Sequence, residues 1–234
     1  MTRNIKAELQ HIAKLLYKNG VCSNTSPIDK AIGNIKTNNN YNIEQLEISL
    51  PDIPRGTIPN GISYLIAVIN VSITARDIIN DFDIDHQFDA YNFNVHFIGY
   101  KNKSTYHTAL HLDYDHSDKS EIIHPWFHLT FGSNDLKDKN HGELMLLPTP
   151  RVPMWPMDFF IGIDFILSNF LEKGRYIKNF AEDSHYKKSL IKSQHEIWRP
   201  YFLSIAHHWC KFDYCKHKMI NTELSRNYLP TLIL

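Results

Sequence analysis

Three runs between Tyr91 and Phe131 alternate apolar and polar residues with a period of two, and this limits the fold more than any other feature. Tyr91, Phe93, Val95 and Phe97 form the first run. Tyr106, Leu110, Leu112 and Tyr114 belong to the second, and Phe127, Leu129 and Phe131 to the third. Successive side chains of a strand point to opposite faces, so each run reads as a half-buried strand. KNKS at 101–104 and the polar HSDKSEII at 116–123 are the connections. Consecutive strands joined by short polar segments make an antiparallel meander. Tyr64–Ala75 is β-branched and apolar at both parities, which predicts a central strand buried on both faces. Shorter strands are expected at Gln45–Leu50 and Glu143–Leu147, and PDIPRGTIPNG (51–61) is too dense in turn formers for a regular element.

Helices flank the meander. Ile5, Leu9, Ile12 and Leu16 recur at helical spacing within Asn4–Asn19, with Gly20 as the stop. PTPRVPMWP (148–156) is read as an extended crossover without hydrogen-bonded structure. Met157–Leu171 follows as a helix apolar nearly all round, hence buried. Asp158 complements its N-terminal dipole, and Asp164 requires a partner, for which Arg151 or a histidine is the expectation. Helical spacing returns at Lys187–Ile197 and Tyr201–Phe212, broken at Arg199–Pro200. The class is therefore α+β: an N-terminal helix, an antiparallel meander, a Pro-rich crossover, a long buried helix and a helical C-terminal part. Residues 1–171 form the α+β core and 172–234 a helical extension packed on it.

The strands beside the 116–123 loop carry the candidate site. If they fold back symmetrically, His111 lies opposite His128 and Asp115 opposite His124, and with Asp113 all share one face. His111, His124, His128, Asp113 and Asp115 are ligands suited to Zn or Mn, and also suit metal-free acid–base work. The alternative is a solvated sheet face rich in His and Asp. Arg151, held between prolines, is either an anion clamp or an internal ion-pair partner of Asp158. Cys210, Cys215 and His217 form a second potential zinc set, although their spacing matches no CxxC form.

The charge balance narrows the partners. Lys+Arg and Asp+Glu are both 25, so net charge is zero and nucleic acid is not indicated. Three cysteines are too few for a disulfide framework and point to a reducing cytoplasm. No run is long enough to span a membrane, and the N-terminus lacks an apolar signal core. The apolar tail Tyr228–Leu234 is expected either to tuck onto the core or to enter a protein partner.

The order helix, meander, His124-Pro125 step, Pro-bearing crossover and helix resembles the ubiquitin-conjugating fold over residues 1–171. That family's His-Pro-Asn segment has Trp126 here in place of Asn, and no Cys lies between 23 and 209. The resemblance therefore implies a variant that binds without transferring. HPWFHLTFG and PRVPMWPMDFFIGIDFILSNF are similar to uncharacterised bacterial proteins of anti-phage and mobile-element operons. Two readings follow: a non-catalytic accessory subunit of such a complex, with no cofactor, or a metal- or histidine-dependent hydrolase, such as a nuclease. In the second, His111, His124, His128 and Arg151 are catalytic, and Zn or Mn activates water.

Overall fold

The computed structural model describes residues 3–36, 40–75, 88–115, 125–132 and 152–210. Helix α1 (Ile5–Lys18) forms where the stripe predicts it. The Asn4 side chain accepts from the Ala7 N–H at the helix start, and Ile5, Leu9, Ile12 and Leu16 are buried. Gly20, at φ +67°, turns the chain after it in a conformation that side chains disfavour. Helix α2 (Ser26–Asn34) was not legible in the sequence. It is nine residues long and buries only Ile28 and Ala31, too few contacts to display a period.

Six antiparallel strands follow in sequential order: β1 (Asn40–Leu50), β2 (Tyr64–Ala75), β3 (Phe88–Lys101), β4 (Ser104–Tyr114), β5 (Phe127–Phe131) and β6 (Val152–Pro153). The α+β class and the meander are as the alternation dictates. Two readings need correction. Part of the crossover does pair, because Val152 and Pro153 lie against Leu129 and His128 as a two-residue edge strand. Strand β2 is also not covered equally on its two faces. Leu65, Ala67, Ile69, Val71 and Ile73 lie in the core, whereas on the other face Val68 is buried and Ile66, Asn70, Ser72 and Thr74 are half-buried.

One face of the sheet carries all the described helices. Its inward residues, including Ile43, Leu46, Ile69, Phe93, Val95, Leu112 and Phe127, join α1, α2 and α3 in one buried cluster. Helix α3 (Phe159–Phe170) starts two residues later than the apolar run suggests, because Asp158 is its N-cap and accepts from the Ile161 N–H at 2.9 Å. Two core tyrosines fix its approach. The Tyr91 hydroxyl donates to the Met157 carbonyl at 2.7 Å and accepts from the Met157 N–H at 2.9 Å, and Tyr41 accepts from the Phe159 N–H at 3.0 Å. Gly162 then sits directly on Phe93, where a methyl group would stand 2.0 Å from the ring.

The C-terminal helices close the other side of this layer. They are α4 (Lys173–Tyr176), α5 (Ser184–Ser193) and α6 (Arg199–Cys210), linked by π-helical turns at Ile177–Ala181 and Gln194–Trp198. The break expected at Arg199–Pro200 does not occur. Pro200 is the second residue of α6, which runs on directly from the π-helical turn Gln194–Trp198. Phe180, Tyr186, Ile197 and Tyr201 belong to the same buried cluster as the sheet.

A buried ionic network ties α1, α3 and α5 together. Arg3 contacts Glu8 at 2.9 Å, Ser193 at 2.7 Å, Asp158 at 3.7 Å, and Glu196. Ser193 donates to Asp158 at 2.6 Å, and Lys192 reaches Glu8 at 2.7 Å. Asp164 accepts from the hydroxyls of Tyr176 and Tyr186 at 2.7 and 2.9 Å, instead of from a histidine. Among the described residues, Asp158 has Arg3 as its cationic partner; Arg151, the partner first expected for both aspartates, lies outside them. No described helix is long and apolar enough to cross a membrane.

Candidate functional site

The sheet face opposite the helices is polar because the strands alternate. β2, most of β3, and β1 before residue 44 bury odd-numbered apolar residues, and their even-numbered ones form the other face; in β1 from Leu46 on the parity is reversed. Register stacks these into rows. Asn42, Ser72, Asn92, Asp113 and His128 are successive cross-strand neighbours on β1 to β5. Asn70, Asn94, His111 and Thr130 make the adjacent row on β2 to β5.

A bulge in β1 shapes the β1 end of these rows. The register slips between Ile43 and Leu46, so Glu44 and Gln45 are both left on the polar side while their apolar neighbours stay in the core. Gln45 takes φ +54°, a left-handed conformation uncommon for a residue other than glycine. Asn70 holds it there, since its side-chain oxygen accepts from both the backbone N–H and the side-chain amide of Gln45, at 2.8 and 3.1 Å. The bent strand walls a furrow of about 670 Å³, lined by Asn42, Glu44, Gln45, Asn70, Val71, Ser72, Asn92, Asn94, His96 and His111. Bulges of this kind re-aim side chains next to binding sites.

The furrow floor contains an imbalance. The Asn94 Oδ1 atom is buried with no hydrogen-bond partner among the described residues. Leaving a buried acceptor unsatisfied costs about 1–3 kcal/mol. Beyond Asn94, the His96 and His107 rings are joined Nε2 to Nδ1 at 3.0 Å, and His107 Nε2 meets the Thr105 hydroxyl at 3.1 Å.

The predicted hairpin residues are brought together in part. His111, Asp113 and His128 do share one face, but the register is shifted by two from a symmetric fold: His128 faces Asp113, and His111 faces Thr130. A shift of two preserves the face, where a shift of one would have reversed it. Asp115 lies beyond the ladder, its N–H donating to the Trp126 carbonyl at 2.9 Å. His128 is buried, 4 % exposed, so the premise of a wholly solvated face does not hold at that position. Its Nδ1 lies 3.0 Å from the Pro125 carbonyl, which can only accept. Nδ1 therefore carries the proton, and in the neutral ring Nε2 keeps the lone pair. His124, Arg151, Cys215 and His217 lie outside the described residues, as does the side chain of Cys210.

Among the described residues, three ligand-type side chains converge within 4.8 Å only at His11, Asp183 and His185, on the helical side. His111, Asp113 and His128 do not converge to that degree. The amide residues of the furrow were missed in the sequence, although Asn92, Asn94 and His96 alternate visibly with Phe93 and Val95. His11 and Asp183, 172 positions apart, left no local signal. No family model, curated protein or solved structure matches the chain.

Proposed function

We propose that this protein is a non-catalytic binding subunit of a bacterial complex that holds a protein partner against the polar face of its sheet. The observation that carries the reading is the buried, unsatisfied Asn94 oxygen in the floor of an amide-lined furrow. The amides around Asn94 offer donors and acceptors, as a polypeptide backbone requires, beside the Glu44 carboxylate at the β1 edge. Cysteine chemistry gives the reading further support. Cys22 is buried in the core, and burial raises its thiol pKa, which disfavours the thiolate needed for transfer. The binder-without-transfer expectation drawn from the order of elements belongs to this same proposal, and so does a partner encoded in an anti-phage or mobile-element operon.

The test is co-purification from the native host with three forms: wild type, Ser72→Arg in the furrow, and Lys188→Glu on exposed α5. Circular dichroism first establishes that each is folded. A partner retained by wild type and Lys188→Glu but lost from Ser72→Arg supports the proposal. Equal retention by all three refutes it.

The bond from His128 Nδ1 to the Pro125 carbonyl favours the second reading, a histidine-dependent hydrolase, since a general base needs its ring oriented by such a partner. Phosphodiester turnover by purified protein, abolished in His128→Gln, would establish that reading instead.

A further inference from the structure

We propose that His11, Asp183 and His185 bind a Zn²⁺ ion that clips α1 to the start of α5. The three side chains come from opposite ends of the chain and present one ligand atom each within 4.8 Å of the others. His11 Nε2 is 2.8 Å from Asp183 Oδ1, and the two imidazole rings are 4.9 Å apart between centroids. Capping accounts for only part of this. Asp183 is the N-cap of α5, and its Oδ1 accepts from the N–H groups of His185 and Tyr186 at 3.0 and 2.8 Å. Those bonds explain why Asp183 is fixed. They do not explain why the His11 imidazole, 172 positions before Asp183, meets its carboxylate beside the His185 ring.

The distances suit a four-coordinate ion after a small adjustment. Ligands on a tetrahedral Zn²⁺, at about 2.0–2.2 Å each, stand roughly 3.4 Å from one another. The His11–Asp183 pair must open by a few tenths of an ångström from 2.8 Å. His185 must close by at most about 1.4 Å, from the 4.8 Å bound on the cluster, to reach that spacing. His185 is exposed, so a change of rotamer is enough. His11 shifts to the tautomer with its proton on Nδ1, while both backbone bonds to Asp183 are retained. Two nitrogens and one carboxylate oxygen form a borderline set that suits Zn²⁺, and one position is left for water. The site lies on the helical layer, and the inference is independent of the furrow.

The test is titration of chelator-treated full-length protein with ZnCl₂ by calorimetry, repeated with Co²⁺ and read by its visible spectrum. One equivalent is expected, with the strong absorption of four-coordinate Co²⁺. Loss of an outer partner alone weakens metal sites by about 10–100-fold, so His185→Ala and His11→Ala should each lose at least that much affinity. His185→Ala is the cleaner variant, because the backbone N–H at that position still donates to the Asp183 carboxylate. Zn²⁺ should also raise the melting temperature of wild type and leave that of His185→Ala unchanged. Wild-type protein that takes up no stoichiometric Zn²⁺ overturns the proposal. So does binding that survives both substitutions, since the ion would then sit among other histidines.

Discussion

Gly162→Ala tests the seating of α3 on the sheet, and two opposed effects decide its sign. Replacing a mid-helix glycine by alanine ordinarily stabilises a helix by about 1 kcal/mol. Here the added methyl carbon would stand 2.0 Å from one carbon of the Phe93 ring and 2.3 Å from another. Non-bonded carbons prefer about 3.5–4.0 Å, so helix or ring must move by roughly 1.5 Å. Phe93 is 4 % exposed, with Val71 and Leu112 as its cross-strand neighbours, and has little room to yield. Overpacking of this kind costs about 1–3 kcal/mol and sometimes more. A 2.0 Å approach to a buried ring puts the cost at the upper end of that range, so the clash wins, and net destabilisation of about 2 kcal/mol is expected. Urea unfolding followed by far-UV circular dichroism measures it. A double-mutant cycle with Phe93→Leu sharpens the test: in the smaller background the alanine should cost less, giving a coupling of about 0.5–3 kcal/mol. A Gly162→Ala protein as stable as wild type, or no coupling to position 93, would refute the packing described for α3.

Three further outcomes are expected. Arg3→Met leaves buried Asp158 without its cation and should lower stability by about 3–5 kcal/mol at neutral pH. Burial raises the Asp158 carboxyl pKa, with Arg3 opposing, so the native state binds more protons than the unfolded chain between the two pKa values. This group's contribution therefore falls as pH rises through that window. Without Arg3 the Asp158 pKa rises further, so in denaturation curves the penalty of Arg3→Met should shrink as pH is lowered from neutral toward the wild-type Asp158 pKa. Tyr91→Phe removes both bonds to Met157 and should cost about 1–3 kcal/mol in the same unfolding assay, with a larger loss pointing to a role beyond the tether. Asn70→Ala frees the Gln45 N–H from its only described side-chain acceptor, and hydrogen exchange at Gln45 should accelerate while α1 amides are unchanged.

Alternation and helical spacing placed β2, β3, β4, β5, α1 and α3 because each buries a single face or stripe. They failed where the determinant is not periodic. Helix α2 is too short, and the start of α3 is set by the Asp158 cap instead of by apolar content. The hairpin register shows the same limit. Symmetry about the loop puts His111 against His128, yet the chain pairs Asp113 with His128. That choice stacks Tyr114 on Phe127 at 4.7 Å and sets Leu112 against Leu129, contacts whose geometry a one-dimensional pattern does not encode. The face of the candidate site was thus legible, its pairings were not, and the furrow depended on a bulge at Gln45 with no glycine to mark it.

The Arg3 network also sets an order of events during synthesis. Arg3 bonds to Ser193 and Glu196 across 190 and 193 residues, and His11 to Asp183 across 172. At roughly 5–20 residues per second, α1 leaves the ribosome about 10–40 s before these partners exist. Through that interval Arg3 has only the nearby Glu8 among these ionic partners, and the apolar stripe of α1 can rest only on α2 and the growing sheet. The N-terminal helix is therefore the first element made and the last to be locked, and a nascent chain stopped before Asp183 should expose α1 to proteases that the finished protein resists.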